Sequence, residues 1–443
     1  MKIAFVCCED IQLGPAYIIT HLKKQGHDVR LFFSPRQFDR GYARNKFLAR
    51  LLSLDNYIIH KIEKFNPDKV LFSLVTATYR WNLQMAERIK KKLPTTKIIF
   101  GGVHSTLVPD EVKSHSFIDE VIVGDGVEHF GGVFDPDNLW PDRDIFFKEL
   151  PSYHRKYQLF MTSFGCPYAC SYCANEELRK HYDRKLIKRS VEGCIKELKY
   201  LKERGMKYVL FVDDILCVDR EWLRAFAIAY NSAINLPFCC FGHPKFLDEE
   251  IIKTLKEMGC EMVWIGIQTG AEQLRKDILN RPETNDEIKA ACALIKKYNM
   301  KLMIDHIFGL PYESEMTNDF STVFYSELKP DVVNCYELLY FPKAKIINHA
   351  IKFGYLTLAD VPKIERGEML QYHTGNRGNF FYDIYHKPMV VIPLGNVTWE
   401  LLPTWLVKLI IYIRAGRAFI PIVMIQNEIY FTWKAILKKG RLI

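Results

Sequence analysis

The chain of 443 residues has no low-complexity tract, and 49% of it is apolar with charges of both signs throughout. That composition excludes a disordered chain. The opening residues Met1-Lys2-Ile3-Ala4-Phe5-Val6-Cys7-Cys8 lack the long apolar stretch and small-residue cleavage site of a signal peptide. They read instead as a buried strand, and a cytoplasmic location is expected. Residues 405–425 are apolar but are interrupted by Lys408, Arg414, Arg417 and Pro421, which makes a poor transmembrane helix. Two readings fit that stretch. One is a helix packed on the preceding domain; the other is an interfacial helix that brings the protein to a membrane and a lipid-like substrate. No nucleic-acid-binding motif accompanies the formal charge of +9. Runs such as Lys90-Lys91-Lys92 and Lys438-Lys439 are therefore read as solvated helix faces, and nucleic acid is not an expected partner.

The length suits two substantial domains and an appendage. Over residues 1–130, short apolar runs at 2–7, 28–33, 69–73, 97–100 and 120–123 alternate with helical patterns near 15–25, 45–65 and 81–92. Such alternation predicts a doubly wound parallel sheet of the Rossmann-like α/β class. No Gly-x-Gly-x-x-Gly follows the first strand and no acidic residue ends the second, which argues against a bound dinucleotide. Gly131, Gly132, Pro136, Pro141 and Pro151 break the pattern, so 131–156 reads as a surface linker. Strands are predicted again at 157–163, 207–212, 238–241, 261–267, 301–308 and 332–340, with helices such as 190–204, 248–258 and 285–298. Six such units make a partial (β/α)6 TIM-like barrel over 157–345, with its chemistry at the carboxyl ends of the strands. Residues 346–443 are expected to form a mainly helical C-terminal extension.

Twelve cysteines in a reducing compartment are not expected to pair as disulfides. Nine are scattered; Cys166, Cys170 and Cys173 form a Cys-x3-Cys-x2-Cys cluster directly after the first barrel strand. Thiolates at this density ligate soft metals. A zinc site would need a fourth ligand, for which His154 and His181 are available. Three ligands to a four-iron cluster leave one iron open to bind a small molecule and pass it an electron.

The spacing, the Gly165-Cys166-Pro167 opening and Tyr172 before the last cysteine resemble the signature of the radical S-adenosylmethionine (SAM) superfamily. The resemblance implies a 4Fe-4S cluster on Cys166, Cys170 and Cys173, SAM on the open iron, Tyr172 against the adenine, and a 5'-deoxyadenosyl radical as the reactive species. It also assigns later segments. Asp213 and Asp214 end the second strand, where relatives meet the SAM amino group or substrate; carboxylates there also cap helices. Gln268 and Thr269 occupy the fourth-strand position that contacts the SAM ribose, although many relatives carry Glu-Ser there. Gly309 would let backbone approach the adenosine and Glu313 would anchor the turn, while residues 336–342 fit the sixth strand near the adenine. Asp305 and His306 are candidates for acid-base chemistry, with a core role the equal alternative. Cys335 reads as a core cysteine, or as a thiol donor if it faces the cavity.

In the first domain, Ser73-Leu74-Val75 and Gly101-Gly102, separated by 25 residues, resemble the Ser-x-Leu and Gly-Gly elements of cobalamin-binding modules. Gln12-Leu13-Gly14-Pro15, the loop of His104, and Gly124-Asp125-Gly126 look like the cobalamin-linked branch of radical SAM enzymes. Leu13, Gly14, Ser73, Gly101, Gly102, His104, Gly124 and Gly126 are accordingly the expected cobalamin residues, with His104 packing against the cofactor. The Asp-x-His-x-x-Gly motif that supplies an axial histidine is absent. Either cobalt is bound without a protein histidine or the domain has lost the cofactor.

Together these resemblances cover residues 1–345 and imply a cobalamin-dependent radical SAM enzyme that methylates an unactivated carbon. Ring formation, oxidation or rearrangement, as in the anaerobic cyclase-like branch, is the alternative, and a non-catalytic cobalamin or iron-sulfur sensor is a third. The expected partners are a small-molecule substrate (lipid-like, isoprenoid or tetrapyrrole) and an external electron donor such as flavodoxin or ferredoxin.

Overall fold

A computed structural model describes residues 1–9, 11–36, 46–182 and 186–368. Position 45 and the extension beyond 368, including 405–425, lie outside the described residues. The chain divides into two compact units, one built on Met1–His154 with residues 362–368, the other on Arg155–Val361.

The first unit is a five-stranded parallel sheet of β1 (Lys2–Cys8), β2 (Asp28–Ser34), β3 (Lys69–Ser73), β4 (Lys97–Gly101) and β5 (Glu120–Val121), in the order β2-β1-β3-β4-β5. Apolar side chains point to both faces, as a doubly covered parallel sheet requires. Ala4, Val6, Phe72 and Phe100 pack under the helices Asp55–Phe65 and Tyr79–Lys92. Ile3, Phe5, Leu71 and Ile99 pack on the helix Leu13–Lys24. Ile145, Phe146 and Leu150 join this second core. The stretch expected as a surface linker is thus partly core, because its Ile-Phe-Phe run supplies apolar side chains that its Gly and Pro residues obscure.

At the carboxyl edge the loops after β3 and β4 are knitted together. Leu74 N donates to Gly101 O at 2.8 Å and His104 N to Leu74 O at 3.0 Å. Gly102 has φ +91°, and a Cβ there would lie 2.7 Å from Leu74 N and 2.9 Å from Ser73 Oγ. Gly102→Ala is expected to cost more than the about 1–3 kcal/mol of backbone strain alone, because the obstructing atoms include backbone. Gly126→Ala meets the movable Ile18 side chain, Cδ1 at 2.5 Å and Cγ1 at 3.2 Å, and should cost less. Urea unfolding of the two variants, followed by circular dichroism, checks the order.

In the second unit six parallel strands, β6 (Tyr157–Phe160), β9 (Tyr208–Phe211), β10 (Phe238–Gly242), β11 (Cys260–Gln268), β12 (Lys301–Phe308) and β13 (Val332–Glu337), lie in the order β13-β12-β11-β10-β9-β6. This sheet is an open half-barrel. Two short strands, β7 (Ser163–Phe164) and β8 (Ile187–Lys188), pair antiparallel beside it. The predicted first strand therefore ends early. Asp213 Oδ1 accepts hydrogen bonds from Thr162 N at 2.9 Å, Thr162 Oγ1 at 2.7 Å and Ser163 Oγ at 2.6 Å, which draws the chain out of register with β9. Side chains alternate across the large sheet. Val209, Cys240, Val263, Leu302 and Ile304 pack under the helices, whereas Tyr208, Cys239, Met262, Met303 and Val332 form a separate cluster on the other, concave face.

Candidate functional site

The three clustered cysteines occupy the loop that leaves β7. All twelve cysteines are free thiols; Cys166, Cys170, Cys173 and Cys335 are half-buried and the rest fully buried. Burial pushes the Cys166 thiol up to about 11 and raises those of Cys170 and Cys173. Left to themselves they hold their protons at neutral pH, and a metal must displace them. N–H donors nevertheless face two of the sulfurs. Asn175 N donates to Cys173 Sγ at 3.5 Å, and Arg281 Nη1 to Cys170 Sγ at 3.8 Å.

The loop is held from outside by residues 278–283, which sequence reasoning missed. Ser171 N donates to Leu279 O at 3.0 Å, Asn280 Nδ2 to Ala169 O at 2.8 Å, and Ser171 Oγ to Ile278 O. Arg281 also donates to Tyr172 Oη at 3.2 Å and through Nε to Glu283 Oε1 at 2.5 Å. His243 Nδ1 accepts from Lys245 N at 3.4 Å. That leaves the proton on Nε2, 3.4 Å from Glu283 Oε2, while the ring stacks on Tyr168 with centroids 4.3 Å apart. Burial opposes ionisation of Glu283, but the His243 hydrogen bond and the Arg281 charge prevail and hold its carboxyl at about 2. A charged Arg-Pro-Glu triplet before a helix N-cap was the one sequence hint, and spacing alone does not tie it to the cysteines.

The strand-end residues divide by the face they occupy. Asp214 is exposed and accepts from Asn175 Nδ2 at 3.2 Å, on the short helix after Cys173. Asp213 is fully buried, and its Oδ1 is taken up by Thr162 and Ser163, so it shapes the approach to the cysteine loop. His306 is also fully buried on the helix side, its Nδ1 3.0 Å from Tyr325 Oη, and burial pulls it down to about 3. A neutral imidazole in the core matches the core role that stood as the alternative to acid-base chemistry. Asp305 instead shares the concave face with Met303 and is half-buried, accepting from Asn334 Nδ2 at 3.2 Å. Cys335 packs against the helix-side core.

A register shift in β11 gives Gln268 a φ of +70° and folds its amide over Gly266. Thr269 is buried, with its hydroxyl 3.3 Å from Ser321 Oγ. Glu313 Oε2 accepts from Leu310 N at 3.0 Å and from Gly309 N, with Gly309 at φ +78°.

In the first unit the space beside Gly14 is open, and Val75 and Val123, after β3 and β5, are 44% and 42% exposed. Leu13 begins the helix at this edge, and Ser73 is half-buried at the end of β3. A Cβ on Gly101 would make only van der Waals contact with Ile122, at 3.4 Å, and Gly124 N donates to Thr106 Oγ1 at 3.1 Å. Gly102, Gly126 and His104, also expected at the cofactor, pack against the protein itself. The first two spaces are filled by Leu74 and Ile18, and His104 is fully buried on Tyr79, with centroids 4.1 Å apart.

Comparison with known proteins bears on both units. The radical SAM superfamily model matches residues 160–320, which begin at the end of β6 and take in the cysteine loop. Residues 160–320 form a radical SAM domain. The B12-binding domain model matches residues 10–134, so this radical SAM enzyme also carries a B12-binding domain. An uncharacterised methyltransferase of Pyrococcus horikoshii is 23% identical over 384 residues, covering 76% of this chain and 78% of the relative. The anaerobic magnesium-protoporphyrin IX monomethyl ester cyclase of Cereibacter sphaeroides is 20% identical over 411 residues, 79% of this chain and 66% of the relative. Among solved structures, the radical SAM methyltransferase TsrM of Kitasatospora setae, with cobalamin and a 4Fe-4S cluster bound, superposes with a TM-score of 0.60. It is 14% identical, covers 78% of this chain and 76% of that chain, and establishes likeness of fold alone.

The cysteine loop of the radical SAM domain fits an iron-sulfur cluster in its donor chemistry: three thiols on one loop, with N–H groups aimed at two of them. Among the described residues no three His, Cys, Asp or Glu side chains converge on a single metal ion. The B12-binding domain fits a corrin in another way, through the open space at Gly14 and the exposed apolar Val75 and Val123. Among the described residues no helix is long and apolar enough to cross a membrane.

Proposed function

We propose that this radical SAM enzyme is a cobalamin-dependent C-methyltransferase, with Cys166, Cys170 and Cys173 holding the 4Fe-4S cluster. The observation that carries the reading is the half-exposed trio of thiols on one loop of a parallel half-barrel, in a chain that also has a B12-binding domain. When bound, the cluster supplies the electron that cleaves SAM to a deoxyadenosyl radical, and the corrin supplies the methyl group. The chain's own residues do the rest. Glu313 fixes the Gly309–Leu310 amides so that backbone can lie against the adenosine. Tyr172, tethered through Arg281, offers its ring to the adenine, and Gln268 offers its amide to the ribose. Leu13, Gly14, Ser73, Gly101 and Gly124 border the edge assigned to the corrin.

Asp305 is the remaining acid-base candidate. Burial raises its carboxyl to about 6, against the Asn334 hydrogen bond and the nearby Trp264 indole, which both favour the carboxylate. Below that pH it holds a proton to donate, and above it the carboxylate can take a proton from substrate. Asp305→Asn is expected to lower substrate conversion by about 100-fold or more while 5'-deoxyadenosine still forms. The wild-type inflection near pH 6 should vanish in the variant; chromatographic assay of both products between pH 5 and 8 checks this.

Similarity to the protoporphyrin ester cyclase favours a second reading, ring formation on a tetrapyrrole. Anaerobic turnover with tetrapyrrole, isoprenoid and lipid-like candidates, a flavodoxin or ferredoxin donor and mass analysis of products separates the two. A product heavier by one methyl group supports transfer; loss of hydrogens or gain of oxygen supports cyclisation. Free thiols at all twelve cysteines suit a reducing cytoplasm. The segment expected to touch a membrane lies beyond the described residues.

A further inference from the structure

We infer that Arg281 is a positioning residue for the cysteine loop that also raises the reduction potential of the cluster, through a charge-assisted N–H···S contact with Cys170. The inference rests on the cluster assignment proposed above. Its starting point is a buried ionic group: the side chains of Arg281 and Arg275 are 8% and 0% exposed and that of Glu283 is 0% exposed. Two guanidinium groups flank one carboxylate, with Nε atoms 2.5 Å and 3.9 Å from Glu283 Oε1, and Arg275 has a second carboxylate in Glu272 Oε2 at 4.0 Å, so what acts on the loop is the direction of the Arg281–Glu283 pair. Arg281 turns its Nε edge to Glu283 and its Nη1 to Cys170 Sγ at 3.8 Å, so the positive end faces the sulfur and the carboxylate lies behind.

The same group grips the loop on both sides of Cys170. Arg281 Nη1 bonds Tyr172 Oη at 3.2 Å, and Glu283 reaches Tyr168 through the stacked His243 ring. Tyr168 and Tyr172 stand two residues before and two after Cys170. A thiolate-bound cluster gains one negative charge on reduction. A buried cation beside one of its sulfurs therefore stabilises the reduced form more than the oxidised one. Cys173, by contrast, accepts from a neutral backbone amide, Asn175 N at 3.5 Å, and the Arg179 charge that also acts on it turns its Nη1 to the Cys166 carbonyl at 2.6 Å, with Asp214 opposing it. The asymmetry assigns the electrostatic effect to Cys170.

The test is a redox titration of the full-length, anaerobically reconstituted protein without SAM, read by electron paramagnetic resonance with iron and sulfide analysis of each sample. Arg281→Gln is expected to keep the cluster and lower the midpoint by about 59 mV, a tenfold shift in a one-electron equilibrium. Arg281→Lys, which keeps the charge, should recover at least half of that shift. If Arg281→Gln assembles poorly, the double variant Arg281→Met with Glu283→Gln removes the buried pair together, and its midpoint should fall likewise. An unchanged midpoint in a fully loaded variant overturns the inference and leaves Arg281 to packing or SAM binding. A wild-type protein that takes up no cluster overturns the cluster assignment itself, which is a separate failure.

Discussion

Cys170→Ala is expected to collapse iron uptake and abolish formation of 5'-deoxyadenosine while cobalamin remains bound at the wild-type level. Cys170 is the central thiol of the trio, and the loop around it is fixed by residues that the substitution does not touch. Ser171 stays bonded to Leu279, Asn280 to the Ala169 carbonyl, and Tyr168 stacked on His243. The fold should survive, and loss of iron then reports a missing ligand. Loss of an outer-shell partner typically costs about 10–100-fold in metal affinity, and loss of a ligand should cost more. Iron analysis, the visible spectrum and chromatography of SAM products check the first half, and cobalt content the second. Retained SAM cleavage contradicts the assignment.

Glu283→Ala is expected to be the most destabilising of the substitutions considered. Its carboxylate lies between the Arg281 and Arg275 guanidinium groups and 3.4 Å from His243 Nε2. Removing it leaves Arg281 in the interior without its counter-charge and Arg275 with only Glu272, at 4.0 Å, which costs about 3–5 kcal/mol. The carbonyl of Glu283 still accepts from Arg275 Nε at 3.2 Å and Nη2 at 3.1 Å, so the loss falls on the side chain. Wild-type stability carries the same signature in acid. The Glu283 carboxyl, ordinarily near 4.5, is held at about 2, so its contribution is complete above 4.5 and is lost as pH falls toward 2. Glu283→Gln keeps an acceptor for Arg281, should cost less than alanine, and should flatten that part of the acid limb. Urea unfolding at pH 7 and across the acid range measures both effects.

Much of the architecture was legible because parallel strands buried on both faces read as short apolar runs between helical patterns, as β1 to β4 and β12 illustrate. The same property hid which face each polar residue takes. Leu302-Met303-Ile304-Asp305-His306-Ile307-Phe308 is apolar on both sides, so nothing in it says that Asp305 turns to the concave face while His306 turns to the helices. Asp213 and Asp214 posed the same problem at a strand end, and the buried one proved to organise Thr162 and Ser163. The cysteine loop was legible because its three thiols are local in sequence. Its clamp was not, because Tyr168, His243, Arg281 and Glu283 meet only through the tertiary fold.

The two-cofactor claim is tested most directly by reconstituting the full chain anaerobically with iron, sulfide and hydroxocobalamin, desalting it, and measuring metals and the optical spectrum. About four irons and about one cobalt per chain is the expected result. Four irons without cobalt, or cobalt without a cluster, contradicts it.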